Sequence, residues 1–514
     1  MNPRSCFRSA LAVAGILAVS ALSAQEPVSP ATPPAEPATP PAAAPVPATD
    51  ANTLPELTLD QCIRRALARN FDIEIQRLTP QIAKDAIDVA RDPYQPVVAV
   101  TAATSGAHTA DTVSTPDINS KSTNGRVGIS QDFYTGTTVA VSSQLNRSEV
   151  NPTLNVYNPA YDADVTISVR QQLLRGFGTA INKAPVDRAR IGFDRANLDF
   201  KARVLDIILS TENAYYNLVF AREQLVTRKL SLALAQRLSD EAQTRKSTGV
   251  ATDLDVLQAD VGVSNSRRGV VLAEQDVKDS EDALLAIIGQ FELDTPLGPT
   301  HFTDVDEALP VFASSYQMAK QNQPDYLSAQ AALEQAKIDT KIAKDFTKPT
   351  LSVGAAAGFN GTRATSSAAY DDTFSNRNNN WQVDLALTYP WGQVGDKARY
   401  RQSLATLTQT QTGLRKLEQT IEVQVRTAVR AVETNVESVK ISIQSRELSL
   451  KQYQLEKAKF DAGRSTSYRV LQTQTDLETA RVAELQAKVS LRNAISALHR
   501  LEGSSLQRYN IALE

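Results

Sequence analysis

The chain has 514 residues, with 54 Lys+Arg against 57 Asp+Glu and a formal net charge of −3. That balance excludes the basic excess of a nucleic-acid binder. Three histidines far apart and two cysteines, Cys6 and Cys62, exclude a Cys/His metal site of the usual spacing and a disulfide framework. With 42% hydrophobic residues the chain can fold, yet it lacks the convergent side chains of most hydrolase and redox chemistry. A structural or transport role, without a cofactor, is the expectation.

Residues 1–24 read as a secretory signal: Arg4 and Arg8, a short apolar run Leu11–Leu22, and the small-residue site Leu22-Ser23-Ala24. The run is too short to span a bilayer as a helix. Cys6 would leave with it, and Cys62 would remain the one thiol, which suits an oxidising compartment. Residues 25–56 follow as a linker, with ten prolines between Pro27 and Pro55, a composition that stays extended and solvated. No later run of 18 apolar residues exists. The secreted chain is then either soluble or crosses an outer membrane as a β-barrel.

After Pro96 helix formers give way to β-branched residues. The candidate strands are Val97–Thr101, Arg126–Gln131, Thr137–Gln144, Asp164–Arg170, Thr350–Phe359 and Trp381–Leu387. Val165, Ile167 and Val169 alternate with Thr166, Ser168 and Arg170. That pattern fits a barrel with lipid outside and water inside, and equally a half-buried sheet on a soluble core. The polar segments His108–Gly125 and Gly361–Asn380 read as long outer loops, and Tyr134-Thr135-Gly136 as a short turn on the opposite side. Open strand edges cannot exist in lipid, so strands in a membrane would have to close with other copies of the chain.

No proline occurs between Pro185 and Pro296 or after Pro390, and Ala, Leu, Gln, Glu, Lys and Arg dominate both stretches. Gly249 and Gly463 lie near their middles, each followed by Thr or Ser able to cap a new helix, so each stretch is a helical hairpin. An arm from Pro185 to Gly249 would be roughly 90 Å long. Val425, Val429, Val432, Val436, Val439, Ile443, Leu450 and Tyr453 form a heptad seam interrupted by Arg446. Leu218, Leu225 and Leu232 recur at sevens in the first hairpin.

The hairpins align at an offset of 214, with ten identities over 41 positions, among them Gly249/Gly463, Thr252/Thr466, Val256-Leu257-Gln258/Val470-Leu471-Gln472 and Gly289/Gly503. The preceding segments align at an offset of 253, through Asp72/Asp325 and Pro96/Pro349. The chain is therefore one unit of helix, strands and long hairpin, duplicated, with about 39 extra residues in the first strand region. Arg126–Gln144 is the extra hairpin; it would either add two strands, giving six in the chain rather than four, or fold over the mouth of a barrel.

In this order the segments resemble the TolC-like outer-membrane efflux proteins. The repeat opening Leu57-Thr58-Leu59-Asp60-Gln61-Cys62, the strand exit Gln171-Gln172-Leu173-Leu174-Arg175-Gly176-Phe177-Gly178 and its counterpart Tyr389-Pro390-Trp391-Gly392 carry the likeness. The resemblance implies a mainly α fold with membrane β-barrel strands, joined into a trimeric α/β-barrel tunnel. Repeats would span 57–295 (strands about 97–171, hairpin about 185–289) and 296–514 (strands about 350–388, hairpin about 397–503). It implies an outer-membrane location with a long periplasmic tunnel and a passive conduit for efflux or type I secretion. A periplasmic adaptor and an inner-membrane pump or ABC transporter would be the partners, with no enzymatic activity. The rival expectation is a periplasmic coiled-coil adaptor or scaffold without a barrel.

The family's tip turn, Gly-x-x-Ser/Thr, resembles Gly249–Thr252 and Gly463–Thr466, so Gly249, Val250, Thr252, Gly463, Arg464 and Thr466 are the expected adaptor contacts. The gate residues implied are Asp253, Asp255, Phe460, Arg464, Arg469 and Gln472. The second tip departs from the family's acidic pattern, reading Arg469-Val470-Leu471-Gln472, with Phe460 at the aromatic position. Asp253 or Asp255 is expected to pair with Arg464 or Arg469 across neighbouring tips.

Overall fold

The computed structural model describes residues 56–110, 117–151, 156–249, 251–289, 297–302, 309–375 and 377–512. The signal, nearly all of the proline-rich linker and Val250 lie outside them. Two helices open the first copy, α1 (Leu59–Arg69) and α2 (Phe71–Arg91). Thr58 caps the first through the Gln61 N–H, and Asn70 caps the second through the Asp72 N–H. Strands β1 (Val97–Thr109), β2 (Ile118–Asp132), β3 (Thr137–Asn151) and β4 (Ala160–Gln172) follow. A short helix α3 (Thr179–Asn182) leads into the hairpin α4 (Ala184–Ser247) and α5 (Asp253–Ile287). The second copy runs α6 (Phe312–Asn322), α7 (Pro324–Phe346), β5 (Thr350–Arg363), α8 (Ser366–Phe374), β6 (Asn379–Thr388), α9 (Val394–Asp461) and α10 (Ser467–Glu502), then a closing turn α11 (Ser505–Arg508).

The duplication is visible in the element starts. Helices α6 and α7 and strand β5 begin 253 residues after α1, α2 and β1, and α10 begins 214 after α5. The shared end glycines have a packing reason. Gly289 and Gly503 both adopt φ of 69°, and a Cβ there would meet the Arg69 carbonyl or its equivalent at Asn322 within 2.8 Å.

Each copy has its own core where its short helices meet its hairpin. In the first, Cys62, Ala66, Tyr215, Leu218, Val219 and Leu284 are buried together; in the second, Ala319, Tyr326, Ile421, Val425, Val429 and Leu498. Each such Leu, Ile or Val contributes about 1.5–3 kcal/mol by leaving water. The seam residues Val425, Val429 and Val432 are thus core, while Arg446 reaches Glu484 of α10 across the same seam. Cys62 is fully buried, and burial pushes its thiol up to about 12, so it stays protonated and inert.

All six strands form one antiparallel sheet in the order β1-β2-β3-β4-β5-β6. The extra hairpin adds two strands to this sheet, and β4 pairs with β5 to join the two copies. Two expected loops are corrected here. His108 and Asn119–Gly125 lie in β1 and β2, paired in register up to Thr109↔Ile118. The Gly361–Asn380 segment contains the end of β5, helix α8 and the start of β6. Polarity misled in both places: a ladder exposed on both faces needs no apolar alternation, and the Asp372 and Thr373 side chains of α8 are held by Arg363 and the Ala163 carbonyl.

Candidate functional site

Two regions can act on a solute: the sheet and the hairpin tips. On one sheet face Val98, Ile129, Val141, Ile167, Ala357 and Trp381 are consecutive cross-strand partners, a continuous apolar row over six strands. The opposite face carries the row Thr101, Arg126, Gln144, Asp164 and Asn360. Arg170 lies 3.8 Å from Asp384 on that polar face. Period-two alternation thus gives a wall with one lipid-compatible and one water-compatible side. Outer strands β1 and β6 have no partner on their free edges among the described residues.

The hairpins lie side by side, α4 against α10, leaving α5 and α9 at the flanks. Both flanks carry exposed apolar side chains. Leu254, Leu257 and Val261 line α5, and Ile441, Leu448 and Leu455, spaced by sevens, line α9.

Both tips turn on a left-handed glycine, φ 78° at Gly249 and 72° at Gly463. The Gly249 N–H donates to Lys246 and the Gly463 N–H to Phe460, one bond type for both turns. Beyond the glycine the tips differ. Thr252 and Asp255 form a reciprocal capping box, which with a bond to Ser467 holds the Asp255 carboxyl below its ordinary range; the Thr252 hydroxyl is the main cause. Thr466 occupies the cap position of α10 without a side-chain cap bond. There, Ser465 donates to Glu456, whose carboxyl is lowered first by that hydroxyl and then by Lys459.

A charged cluster that sequence reasoning missed joins the tips. The Arg245 guanidinium stacks 4.0 Å over the Phe460 ring and donates to the Phe460 carbonyl at 2.9 Å and to Glu241 at 2.8 Å. Lys457 donates to Glu241 and Asp461, both at 2.9 Å. The Glu241/Arg245 and Lys457/Asp461 pairs at i, i+4 were visible in sequence, but their meeting across 215 residues was not. Phe460 is buried with Leu238 and Val470 in the packing between tips.

Arg464, Arg469 and Gln472 are exposed. Within one chain the expected acid–arginine pairing does not form. Asp253 pairs with Lys246 across its own turn, and Asp255 is engaged by Thr252 of its own cap and by Ser467 of the other hairpin. Among the described residues no cluster of three metal-ligating side chains occurs, and no helix is long and apolar enough to cross a membrane.

Comparison with known proteins gives a consistent result. The profile of the outer membrane efflux protein family matches residues 138–290 and 315–504. The pyoverdine export outer membrane protein OpmQ of Pseudomonas aeruginosa PAO1 is 24% identical over 321 residues, 61% of this chain and 64% of OpmQ, just under two thirds of that relative. OpmQ of Pseudomonas putida KT2440 is 24% identical over 378 residues, 72% of this chain and 77% of the relative. The solved outer-membrane channel OprN superposes with a TM-score of 0.67 at 18% identity, covering 87% of this chain and 90% of OprN.

Proposed function

The chain belongs to the outer membrane efflux protein family, and from that premise we propose that three copies close into one passive conduit through the outer membrane. The observation that supports closure is a pair of free edges at each level: β1 and β6 in the sheet, α5 and α9 in the helices. A free sheet edge is not tolerated in lipid, and exposed heptad leucines favour a partner helix. Joining β6 to the next copy's β1, and α9 to the next copy's α5, satisfies both at once.

In this reading the apolar row of the sheet faces lipid and the Arg126–Asp164 row faces the water-filled bore. The long hairpins form a periplasmic tunnel, and their tips are the moving part. Gly249, Val250, Thr252, Gly463, Arg464 and Thr466 meet a periplasmic adaptor, while Asp253, Asp255, Phe460, Arg464, Arg469 and Gln472 belong to the gate. Docking shifts a balance between closed and open tip packings. Energy comes from an inner-membrane pump or ABC transporter, since the sequence has no Gly-x-x-x-x-Gly-Lys phosphate loop. The pyoverdine-exporting relatives make small secreted compounds the first cargo class to test.

Light scattering and native mass spectrometry of the full chain in detergent test the assembly. Three copies are expected, and Leu448→Lys with Leu455→Lys lowers the trimer fraction. A monodisperse single copy overturns the reading.

A further inference from the structure

We propose that the extra β2–β3 hairpin widens the bore, so that the barrel has eighteen strands and passes bulky cargo without narrowing at the outer membrane. This rests on the three-copy reading above.

Three observations put the hairpin in the wall. First, Ile129 of β2 and Val141 of β3 sit inside the apolar row that runs from Val98 to Trp381, in unbroken register with both neighbours. A hairpin folded over the mouth would have no need of that match. Second, Arg126 and Gln144 continue the polar row between Thr101 and Asp164, so both faces agree with the strands around them. Third, the one polar interruption of the next apolar row, Ser143 between Val127 and Val165, is covered. Helix α8 of the second copy lies on that face over Ala163 and Gly361, and its Tyr370 hydroxyl is 3.1 Å from the Ser143 hydroxyl. The second copy thus holds β3 in place from outside.

Perimeter arithmetic gives the consequence. Strands about 4.8 Å apart and tilted by about 40° each occupy about 6.3 Å of circumference. Eighteen strands close at a backbone diameter of about 36 Å, and twelve at about 24 Å. Next to the sheet each chain brings four helices, α2, α4, α7 and α9, which run directly into or out of its strands. Twelve such helices about 9–10 Å apart close on an axis circle of about 34–38 Å. Eighteen strands therefore continue the helical tube without a step. After side chains take about 5 Å on each side, the clear bore is about 26 Å. It admits solutes or compact polypeptide segments approaching that width, lined by both charge signs through Arg126 and Asp164.

Pulsed electron paramagnetic resonance measures the width. The full chain carries Cys62→Ser and Leu385→Cys, spin-labelled on the exposed apolar face. Backbone atoms at equivalent wall positions lie about 31 Å apart in a three-fold ring of eighteen strands and about 21 Å apart in one of twelve, and outward-facing nitroxides on arms of about 7 Å lie about 43 Å and about 33 Å apart. We expect about 43 Å, falling to about 33 Å when residues 118–159 are deleted and β1 joins β4 through 110–117. A full-length distance near 33 Å with a three-spin signal overturns the proposal. A signal from other than three spins overturns the three-copy reading instead. If the deletion does not assemble, the full-length distance alone decides.

Discussion

The two hairpin tips descend from one sequence and share a left-handed glycine turn, yet they are fastened by different means. The first is closed by its own capping box, Thr252 with Asp255, and by the exposed pair Lys246–Asp253. The second presents Phe460 and its carbonyl to Arg245 of the first, and Ser465 to Glu456. Phe460 stands where the first copy has Lys246, by the 214-residue offset. The first turn is thus closed mainly by its own residues, with Asp255 also reaching Ser467, and Phe460 of the second supplies the buried packing between hairpins. Duplication conserved the backbone turn, which only glycine relieves of strain, and left the stitching free to diverge.

That asymmetry can be broken one contact at a time. Phe460→Ala should have the largest effect, about 3 kcal/mol of lost packing between tips, read as faster hydrogen exchange at both tips and a higher open probability in planar bilayers. Equal behaviour of Lys246→Ala would contradict the comparison, because an exposed pair contributes only about 0–1 kcal/mol. Arg245→Met keeps some apolar cover but loses the guanidinium bonds to Phe460 and Glu241. A loss of about 2 kcal/mol is expected, and Lys457 should then exchange its partner Glu241 more freely in a double-mutant cycle. Thr252→Ala removes a cap worth about 1 kcal/mol, whereas Thr466→Ala, without a cap bond, should change hydrogen exchange at its tip far less.

Acid acts on both tips together and most gently. The Asp255 and Glu456 carboxyls are lowered in the folded chain. Their stabilising contribution is therefore complete above the ordinary carboxylate value near about 4 and is lost as pH falls through the lowered values. Hydrogen exchange at the tips should be flat from pH 7 to 5 and accelerate, after correction for intrinsic rates, only below about pH 4. Acceleration already at pH 6 would point to a different group.

The helices were legible because their signals are local. Proline-free stretches, good helix formers and the two turn glycines placed both hairpins, and the alternation of Val165, Ile167 and Val169 placed β4. The upper halves of β1, β2 and β3 were illegible, since Ser, Thr and Asn run on both faces there and resemble a loop. Helix α8 was hidden for a similar reason, its Ser, Thr and Asp residues being turn formers whose side chains are here engaged by Arg363 and the Ala163 carbonyl.

By itself, then, the amino-acid order determined the duplication, the long arms, their turning points and which residues of a strand share a face, because each depends on neighbours within a few residues. Tertiary structure decided that β4 meets β5 across the junction of the two copies, that the extra hairpin joins the same sheet, and that Arg245 reaches Phe460 of the other hairpin as well as Glu241 of its own. Those outcomes depend on ladder hydrogen bonds and packing between segments some two hundred residues apart, whose free energy no local pattern contains.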